Sequence, residues 1–288
     1  FDLRGAPSVE QRYKYIEQVA HAQVAAGDTL TVDKLVAVYT SRDVPPASVR
    51  PACLDELRRH TAAGFDRCRE QNRAAWQAKW ADSDVTIDGD SDTTRAVRFN
   101  IYQLLIAANE SDPRVNIGAN ALSGERYRGH AFWDTEVFML PFFIYTQPET
   151  ARALLLYRYH TLDGARQNAR AGGFRGARYA WESADTGVET TPKWTVDGAH
   201  RLWMGEEEIH VTAAVAYGLI AYVAATGDHS LHPPGPRTGR HVVERSDDPR
   251  RPRDQTARLC HPCLALGAAL NVRGETLGLR RAQRVVEP

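Results

Sequence analysis

The clearest hydrophobic periodicity in the chain covers residues 92–109, where apolar side chains recur every three or four positions. This spacing predicts an amphipathic helix that packs one face on a core. Asp92 precedes the apolar positions and is expected to cap the helix. The predicted buried stripe consists of Val97, Ile101, Leu104 and Leu105.

Three other segments have a helical pattern. Residues 46–82 place apolar side chains on one face, 148–160 carry a proline in the first turn, and 207–227 end at a glycine, a common helix stop. Polar loops at 116–129 and 172–205 separate these helices. Long loops in a compact domain are usually functional, so the pattern predicts a mainly α protein, a helical toroid with its site at the loop end.

A β-strand is predicted only near the start of the chain. Thr29–Thr40 alternates in polarity and is rich in β-branched residues, and Gly27 and Asp28 form a turn before it. A strand needs partners, and this part of the chain supplies few of them. We therefore expect the rest of its sheet to precede Phe1.

Charge and composition exclude several classes of partner. The chain has 36 basic and 36 acidic residues and a pI near 7.3, so neither nucleic acid nor an anionic membrane is an expected partner. No apolar run reaches the roughly 20 residues of a membrane span. Four cysteines are too few for a disulfide scaffold and suit a reducing compartment, which predicts a cytoplasmic location. Cys260 and Cys263 form a lone C-x-x-C without a second ligand pair, so no metal site is predicted.

The densest candidate chemistry lies at residues 124–143, where polar and charged side chains stand before an abrupt apolar run. His130, Trp133, Asp134 and Glu136 fall close together there. Aromatic faces beside carboxylates are a usual means of holding sugars, because the ring covers C–H groups and the carboxylate binds hydroxyls. The alternative interpretation is a buried polar cluster that is internally satisfied at the start of a helix.

Three segments, taken in order and spacing, resemble glycoside hydrolase family 65, the inverting disaccharide phosphorylases. The resemblance covers roughly residues 20–230. It implies a β-sandwich, a helical linker, an (α/α)₆ barrel and a small C-terminal sheet. The segments are Tyr127-Arg-Gly-His-Ala-Phe-Trp-Asp-Thr-Glu136, Ala180-Trp-Glu-Ser183 and Glu208-Ile-His-Val-Thr212.

On this resemblance, the chain is mainly α and divides into four parts. The first, 1–42, is the last part of the β-sandwich, and 43–85 is the helical linker. The third, 86–230, is the first part of the barrel, and 231–288 is an atypical tail rich in proline and arginine. The expected protein is therefore a fragment, truncated at both ends.

The resemblance also implies roles for six residues. Trp133 and Asp134 resemble the pair that holds the non-reducing glucose, and Trp181 and Glu182 resemble a second pair of that pocket, although Ala180 stands where a proline is usual. A third segment is expected to shape the acceptor subsite, the alternative being a helix N-terminal turn with a satisfied histidine. Its residues are Glu208, His210 and Thr212, of which the last two are predicted to bind substrate.

The implied activity is reversible phosphorolysis of an α-linked glucose disaccharide of the maltose, trehalose or kojibiose type. Inorganic phosphate is the co-substrate, no metal or organic cofactor is expected, and the intact parent is expected to be a homodimer. The family's general acid lies in a Gly-Pro-Asp-Glu motif that these 288 residues do not contain, so no catalytic residue is assigned and this chain is expected to be inactive. The alternatives are hydrolysis on the same scaffold and an inactive sugar-binding product.

The tail at 231–288 has an unusual composition. It contains no Phe, Trp, Tyr or Lys, and it holds seven of the fifteen prolines. A back-translation of residues 236–246, shifted by one base, gives Glu-Leu-Val-Asp-Thr-Ser-Trp-Ser-Ala-Arg, which resembles family members at this point. The tail is therefore interpreted as an out-of-frame translation or as a disordered segment with too little apolar mass to pack.

Overall fold

The computed structural model describes residues 7–124 and 126–231 and the backbone of Glu244–Arg245. The predictions for Cys260 and Cys263, and for nearly all of the 231–288 tail, lie outside the described residues. The chain forms two compact units, Phe1–Ala78 and Lys79–Pro288.

The first unit begins with a hairpin and continues into helices. Strands β1, Ser8–Arg12, and β2, Tyr15–Val19, pair antiparallel through a turn at Lys14, which has φ 58°. A 3₁₀ turn at Pro46–Ser48 then leads into α1, Val49–Ala63, and α2, Phe65–Ala81, which crosses into the second unit. The helical prediction for residues 46–82 is confirmed.

The strand prediction for Thr29–Thr40 is wrong, because this segment has no regular structure. Several of its apolar side chains are open to solvent, with Val32 79% and Val38 78% exposed. A β-strand exists through hydrogen bonds to a neighbour, and β-branched composition measures only how well a residue suits a paired, half-buried surface. No described residue pairs with this segment, so its preference for β structure is not realised.

The second unit is mainly helical, as predicted. Its α-helices are α3 Ser91–Ala107, α4 Leu140–Thr146, α5 Pro148–His160, α6 Leu162–Ala171, α7 Met204–Glu207 and α8 Val211–Thr226. A 3₁₀ turn, Arg126–Gly129, and a π-helix, Thr135–Met139, precede α4. A two-residue strand β3, Phe174–Arg175, pairs antiparallel with β4, Glu244–Arg245. Among the described residues, no helix is long and apolar enough to span a bilayer.

Helices α4, α5 and α8 pack together around the main core of this unit. Apolar residues from these helices meet Ile117 from the preceding loop. In α3, Ile101 and Leu105 are buried as predicted, while Val97 and Leu104 are half-buried. The buried core cluster consists of Ile117, Leu140, Phe143, Ile144, Ala151, Leu154, Leu155 and Tyr222.

Helix boundaries confirm two predictions and correct two others. Proline occupies the first turn of α5, and Gly227 ends α8 with φ 70°, a left-handed value that glycine tolerates. The cap of α3 is Asp90, not Asp92, because the helix begins at Ser91 and the Asp90 carboxylate accepts hydrogen bonds from two first-turn amides. Helix α8 begins at Val211, not at Glu207, because the backbone leaves the helical region at Glu208 (ψ 82°).

Candidate functional site

Three aromatic rings from distant parts of the sequence lie against one another in the second unit. The Trp133 ring centroid is 6.4 Å from that of Trp181 and 4.9 Å from that of His210. The Trp181 and His210 centroids are 5.8 Å apart. The structure therefore brings together one ring from each of the three segments singled out in the sequence. We call Trp133, Trp181 and His210 the aromatic site.

Short β-bridges hold the loops that carry these rings. Ala131 and Ser183 exchange two backbone hydrogen bonds, at 2.9 Å and 3.1 Å, and so fix the Trp133 loop beside the Trp181 loop. Further bridges join Ala131 to Gly118 and Ser183 to Glu189. None of these pairings extends into a strand, so the loops are joined by isolated single-residue bridges and not by a β-sheet.

Glu182 lies beside the aromatic site with its carboxylate on a histidine. Glu182 Oε1 is 2.6 Å from His130 Nδ1, and the two side chains are 10% and 16% exposed. Thr190 donates its hydroxyl to the Glu182 carbonyl at 2.9 Å. Because both side chains are largely shielded from water, the hydrogen bond between Glu182 and His130 is stronger than one on the surface.

His210 has one ring nitrogen that is buried without a hydrogen-bond partner among the described residues. Its Nδ1 is 3.0 Å from Glu208 Oε2, and its side chain is 10% exposed. Its Nε2 is buried and has no hydrogen-bond partner among the described residues. A buried polar atom without a partner costs about 1–3 kcal/mol.

The other predicted residues have different surroundings. Asp134 is half-buried directly after Trp133, and its carboxylate makes no hydrogen bond with any other described residue. The Thr212 hydroxyl accepts the Tyr179 amide at 3.1 Å, which places it behind the Trp181 loop. The Asp134 carboxylate is therefore without a hydrogen-bond partner among the described residues, whereas the Thr212 hydroxyl already binds the Tyr179 backbone amide.

Glu136 belongs to the core and not to the aromatic site. Arg158 donates to both Glu136 oxygens, at 2.6 Å and 2.9 Å, and a second hydrogen bond from its Nη2 reaches the Phe132 carbonyl at 2.9 Å. Burial alone would lower the pKa of Arg158, but the Glu136 carboxylate outweighs it and the pKa is raised. For Glu136 the alternative of a buried, satisfied polar group is correct, although Arg158 Nη1 has no hydrogen-bond partner among the described residues.

Two sequence profiles of one family match the chain. The glycosyl hydrolase family 65 central catalytic domain matches residues 98–234, and the family's N-terminal domain matches residues 2–79. The chain belongs to glycoside hydrolase family 65.

Relatives of the chain within family 65 include phosphorylases of kojibiose, nigerose, trehalose, maltose and 1,2-alpha-glucosylglycerol. The kojibiose phosphorylase of Caldanaerobacter subterraneus subsp. tengcongensis is 46% identical over 79% of this chain and 29% of its own length. The nigerose phosphorylase of Lachnoclostridium phytofermentans is 34% identical over 72% of this chain and 28% of its own. A putative kojibiose phosphorylase from the human microbiome matches in structure with a TM-score of 0.57 and 29% identity, over 64% of this chain and 23% of that one. The chain thus spans less than a third of these family 65 relatives.

Family 65 motifs led to the aromatic site, but three residues that build it escaped the sequence analysis. They are Arg158 and Asn168, which contact residues distant in sequence, and Glu189, whose side chain binds backbone within its own loop. Glu189 lies in the loop predicted to be functional, which was its only signal. Two tyrosines also adjoin this region, Tyr157, which is buried, and Tyr179, which is half-buried. Desolvation raises the pKa of Tyr157, and it raises the pKa of Tyr179 to about 12.

No group of three or more His, Cys, Asp or Glu side chains suited to a metal ion occurs within the described part of the family 65 chain.

Proposed function

We propose that the protein to which this chain corresponds catalyses phosphorolysis of an α-linked glucose disaccharide, and that the aromatic site holds the glucose unit. The observation that carries the proposal is the meeting of Trp133, Trp181 and His210 beside the Glu182 carboxylate. Indoles cover the apolar face of a sugar ring, and carboxylates and imidazole bind its hydroxyls. The names of the family 65 relatives support a disaccharide and phosphate as substrates.

The chemistry follows from inversion at the anomeric carbon. Phosphate attacks that carbon from the face opposite the glycosidic bond, while a general acid protonates the departing oxygen. The products are β-glucose 1-phosphate and free glucose. Trp133 and Trp181 orient the ring, and Asp134 and His210 bind hydroxyls. This scheme requires neither a metal nor an organic cofactor.

The proposed architecture follows the family. Residues 1–42 are the end of a β-sandwich, 43–85 a helical linker and 86–230 the first part of an (α/α)₆ barrel. The consecutive helices of the second unit and the structural similarity to a family 65 relative support the barrel. The intact protein is proposed to be a homodimer.

The 288-residue chain itself is proposed to be inactive. Its sequence contains no Gly-Pro-Asp-Glu motif, in which the family's general acid lies. General acid catalysis contributes about 10²–10⁴-fold to such reactions, so its loss alone would bring turnover near background. The chain would still bind sugar.

Sugar binding is tested by tryptophan fluorescence on the 288-residue chain titrated with glucose, kojibiose, nigerose, maltose and trehalose. Trp181→Ala and Glu182→Gln are expected to weaken binding by about ten- to a hundredfold, because each removes a buried contact or hydrogen bond to the ligand. Trp194→Ala is the matched control, since Trp194 is 54% exposed and outside the aromatic site. Equal effects of the control and the site variants would contradict the proposal.

Turnover is tested separately, with and without phosphate. The 288-residue chain is expected to release no glucose, while a longer version that includes the Gly-Pro-Asp-Glu segment is expected to require phosphate. Release of glucose without phosphate would instead indicate hydrolysis on this scaffold. Release by the 288-residue chain would overturn the proposed inactivity.

A further inference from the structure

The Glu189 side chain accepts hydrogen bonds from the backbone of the Trp181 loop through both carboxylate oxygens. Oε2 accepts the Trp181 amide at 2.8 Å. Oε1 accepts the Glu182 amide at 3.3 Å, the Thr191 amide at 3.0 Å and the Thr191 hydroxyl at 2.6 Å. Three of these partners are backbone N–H groups, which can only donate, so both oxygens of the Glu189 side chain act as acceptors.

Glu189 is itself fixed from helix α6. Its amide donates to Asn168 Oδ1 at 3.0 Å, and Asn168 Nδ2 donates to the carbonyls of Gly187 at 3.0 Å and Arg178 at 3.3 Å. Asn168 is buried on α6. The loop that carries Trp181 is therefore anchored to a helix through one asparagine and one carboxylate.

Charge and space at Glu189 suit this arrangement. Burial lowers the pKa of the Arg178 guanidinium, and the negative charges of Glu189 and Glu206 oppose that shift. Gly205 packs against the same carboxylate: a Cβ there would lie 3.1 Å from Glu189 Cδ and 2.9 Å from Thr191 Cβ. The Arg178 guanidinium is therefore close enough to interact with the Glu189 carboxylate, and the absence of a side chain at Gly205 leaves room for that carboxylate.

We propose that Glu189 is the positioning residue of the aromatic site. Its carboxylate sets the Trp181–Glu182 peptide so that the Trp181 indole meets Trp133 and the Glu182 carboxylate meets His130. Glu189 acts through the backbone of these residues and does not itself touch the sugar. The consequence for sugar binding rests on the function proposed above, whereas the consequence for ring geometry does not.

The key variant is Glu189→Gln, which keeps the size of the side chain but replaces one acceptor oxygen by an NH₂ donor facing an N–H group. The readout is circular dichroism, because two indoles 6.4 Å apart couple their transitions. Trp133→Phe and Trp181→Phe identify the couplet, since each removes one partner. The control is Glu206→Gln, which also removes a carboxylate near Arg178 but leaves the Glu189 hydrogen bonds intact.

Glu189→Gln is expected to abolish the couplet and to weaken kojibiose binding at least tenfold, while Glu206→Gln preserves both. Gly205→Ala moves the carboxylate without removing it and is expected to reduce the couplet as well, which keeps the test decisive if Glu189→Gln does not fold. An unchanged couplet in folded Glu189→Gln, or in Gly205→Ala when the first variant is unfolded, overturns the inference. If Glu189→Gln loses the couplet but the unsubstituted chain binds no sugar, the positioning role is supported and the proposed function is contradicted.

Discussion

At the scale of the residue, the core beside the aromatic site depends on one ion pair. Arg158 and Glu136 are 2% and 1% exposed, and their bidentate contact also holds the Phe132 carbonyl, directly before Trp133. A buried pair adds little net stability compared with apolar residues of the same shape, but loss of one partner strands a charge. The pair therefore makes the backbone at Trp133 sensitive to changes in α5.

Arg158→Met is expected to destabilise the protein by about 3–5 kcal/mol, because it leaves the Glu136 carboxylate buried without a partner. Urea denaturation measures the change. Arg152→Met is the control: Arg152 is on the same helix and pairs with Asp228 at 3.5 Å, but it is 37% exposed, so its loss should cost about 0–1 kcal/mol. Equal destabilisation by both variants would show that the ion pair is not the cause.

At the scale of the element, helix α3 depends on its cap. The Asp90 carboxylate accepts the Asp92 amide at 3.1 Å and the Thr93 amide at 2.9 Å, and hydrogen bonds from the Thr93 side chain and then its backbone lower the pKa of Asp90. Asp90→Ala is expected to lower the melting temperature more than Asp92→Ala. A larger effect of Asp92→Ala would restore the prediction made from the sequence.

The contribution of this cap also depends on pH. Because the pKa of Asp90 is lower in the folded state than its ordinary value of 3.8, the cap contributes fully above that value. Its contribution is lost as the pH falls through the lowered pKa of the folded state. The difference in melting temperature between the protein and Asp90→Ala should therefore shrink on acidification below pH 3.8. A difference that stays constant would argue against an ionised cap.

Helix α6 packs its own backbone against the loop that carries the aromatic site. A Cβ on Gly164 would lie 2.1 Å from the Thr186 carbonyl oxygen and 2.6 Å from the Gly187 carbonyl carbon. Alanine is normally preferred to glycine within a helix by about 0.5–1 kcal/mol. Here Gly164→Ala is expected to destabilise by about 1–3 kcal/mol, since backbone must move to make room. Thermal unfolding checks the sign, and a stabilised variant would contradict the close approach.

The sequence predicted the elements whose signals are local. Pro148 and Gly227 mark helix ends through their own backbone preferences, and the stripe of α3 follows from helical periodicity. The Thr29–Thr40 prediction failed because a strand requires a partner that composition does not reveal. In the same way, Arg158 acquires its role only when distant segments meet, and Glu189 acquires its role from the way its own loop folds back on it. Trp133, Trp181 and His210, in contrast, were found through motifs.

At the scale of the whole molecule, helix α8 contains no charged residue, and a helix that is apolar on all sides is usually buried on all sides. Ile220 on this helix is nevertheless 65% exposed. Exposed apolar surface of this kind promotes association. The 288-residue chain is therefore expected to associate at rising concentration.

Ile220→Lys is expected to reduce light scattering at a given concentration without lowering the melting temperature, because the side chain is already in contact with solvent. Leu154→Lys is the control: Leu154 is 2% exposed in the core, and a lysine there should prevent folding. Unchanged scattering in Ile220→Lys would place the associating surface elsewhere.

The β-bridge between Ala131 and Ser183 has a consequence for motion at the aromatic site. Each residue donates its amide to the other's carbonyl, at 2.9 Å and 3.1 Å, so neither amide is released unless both loops part. Hydrogen exchange at these two amides should therefore be slow and governed by one shared opening free energy. The Ala121 amide, held 2.8 Å from Gly118 in a local turn, should exchange sooner. Equal protection at Ala131 and Ser183, lost together in Glu189→Gln, would show that the two loops carrying Trp133 and Trp181 open in one cooperative step.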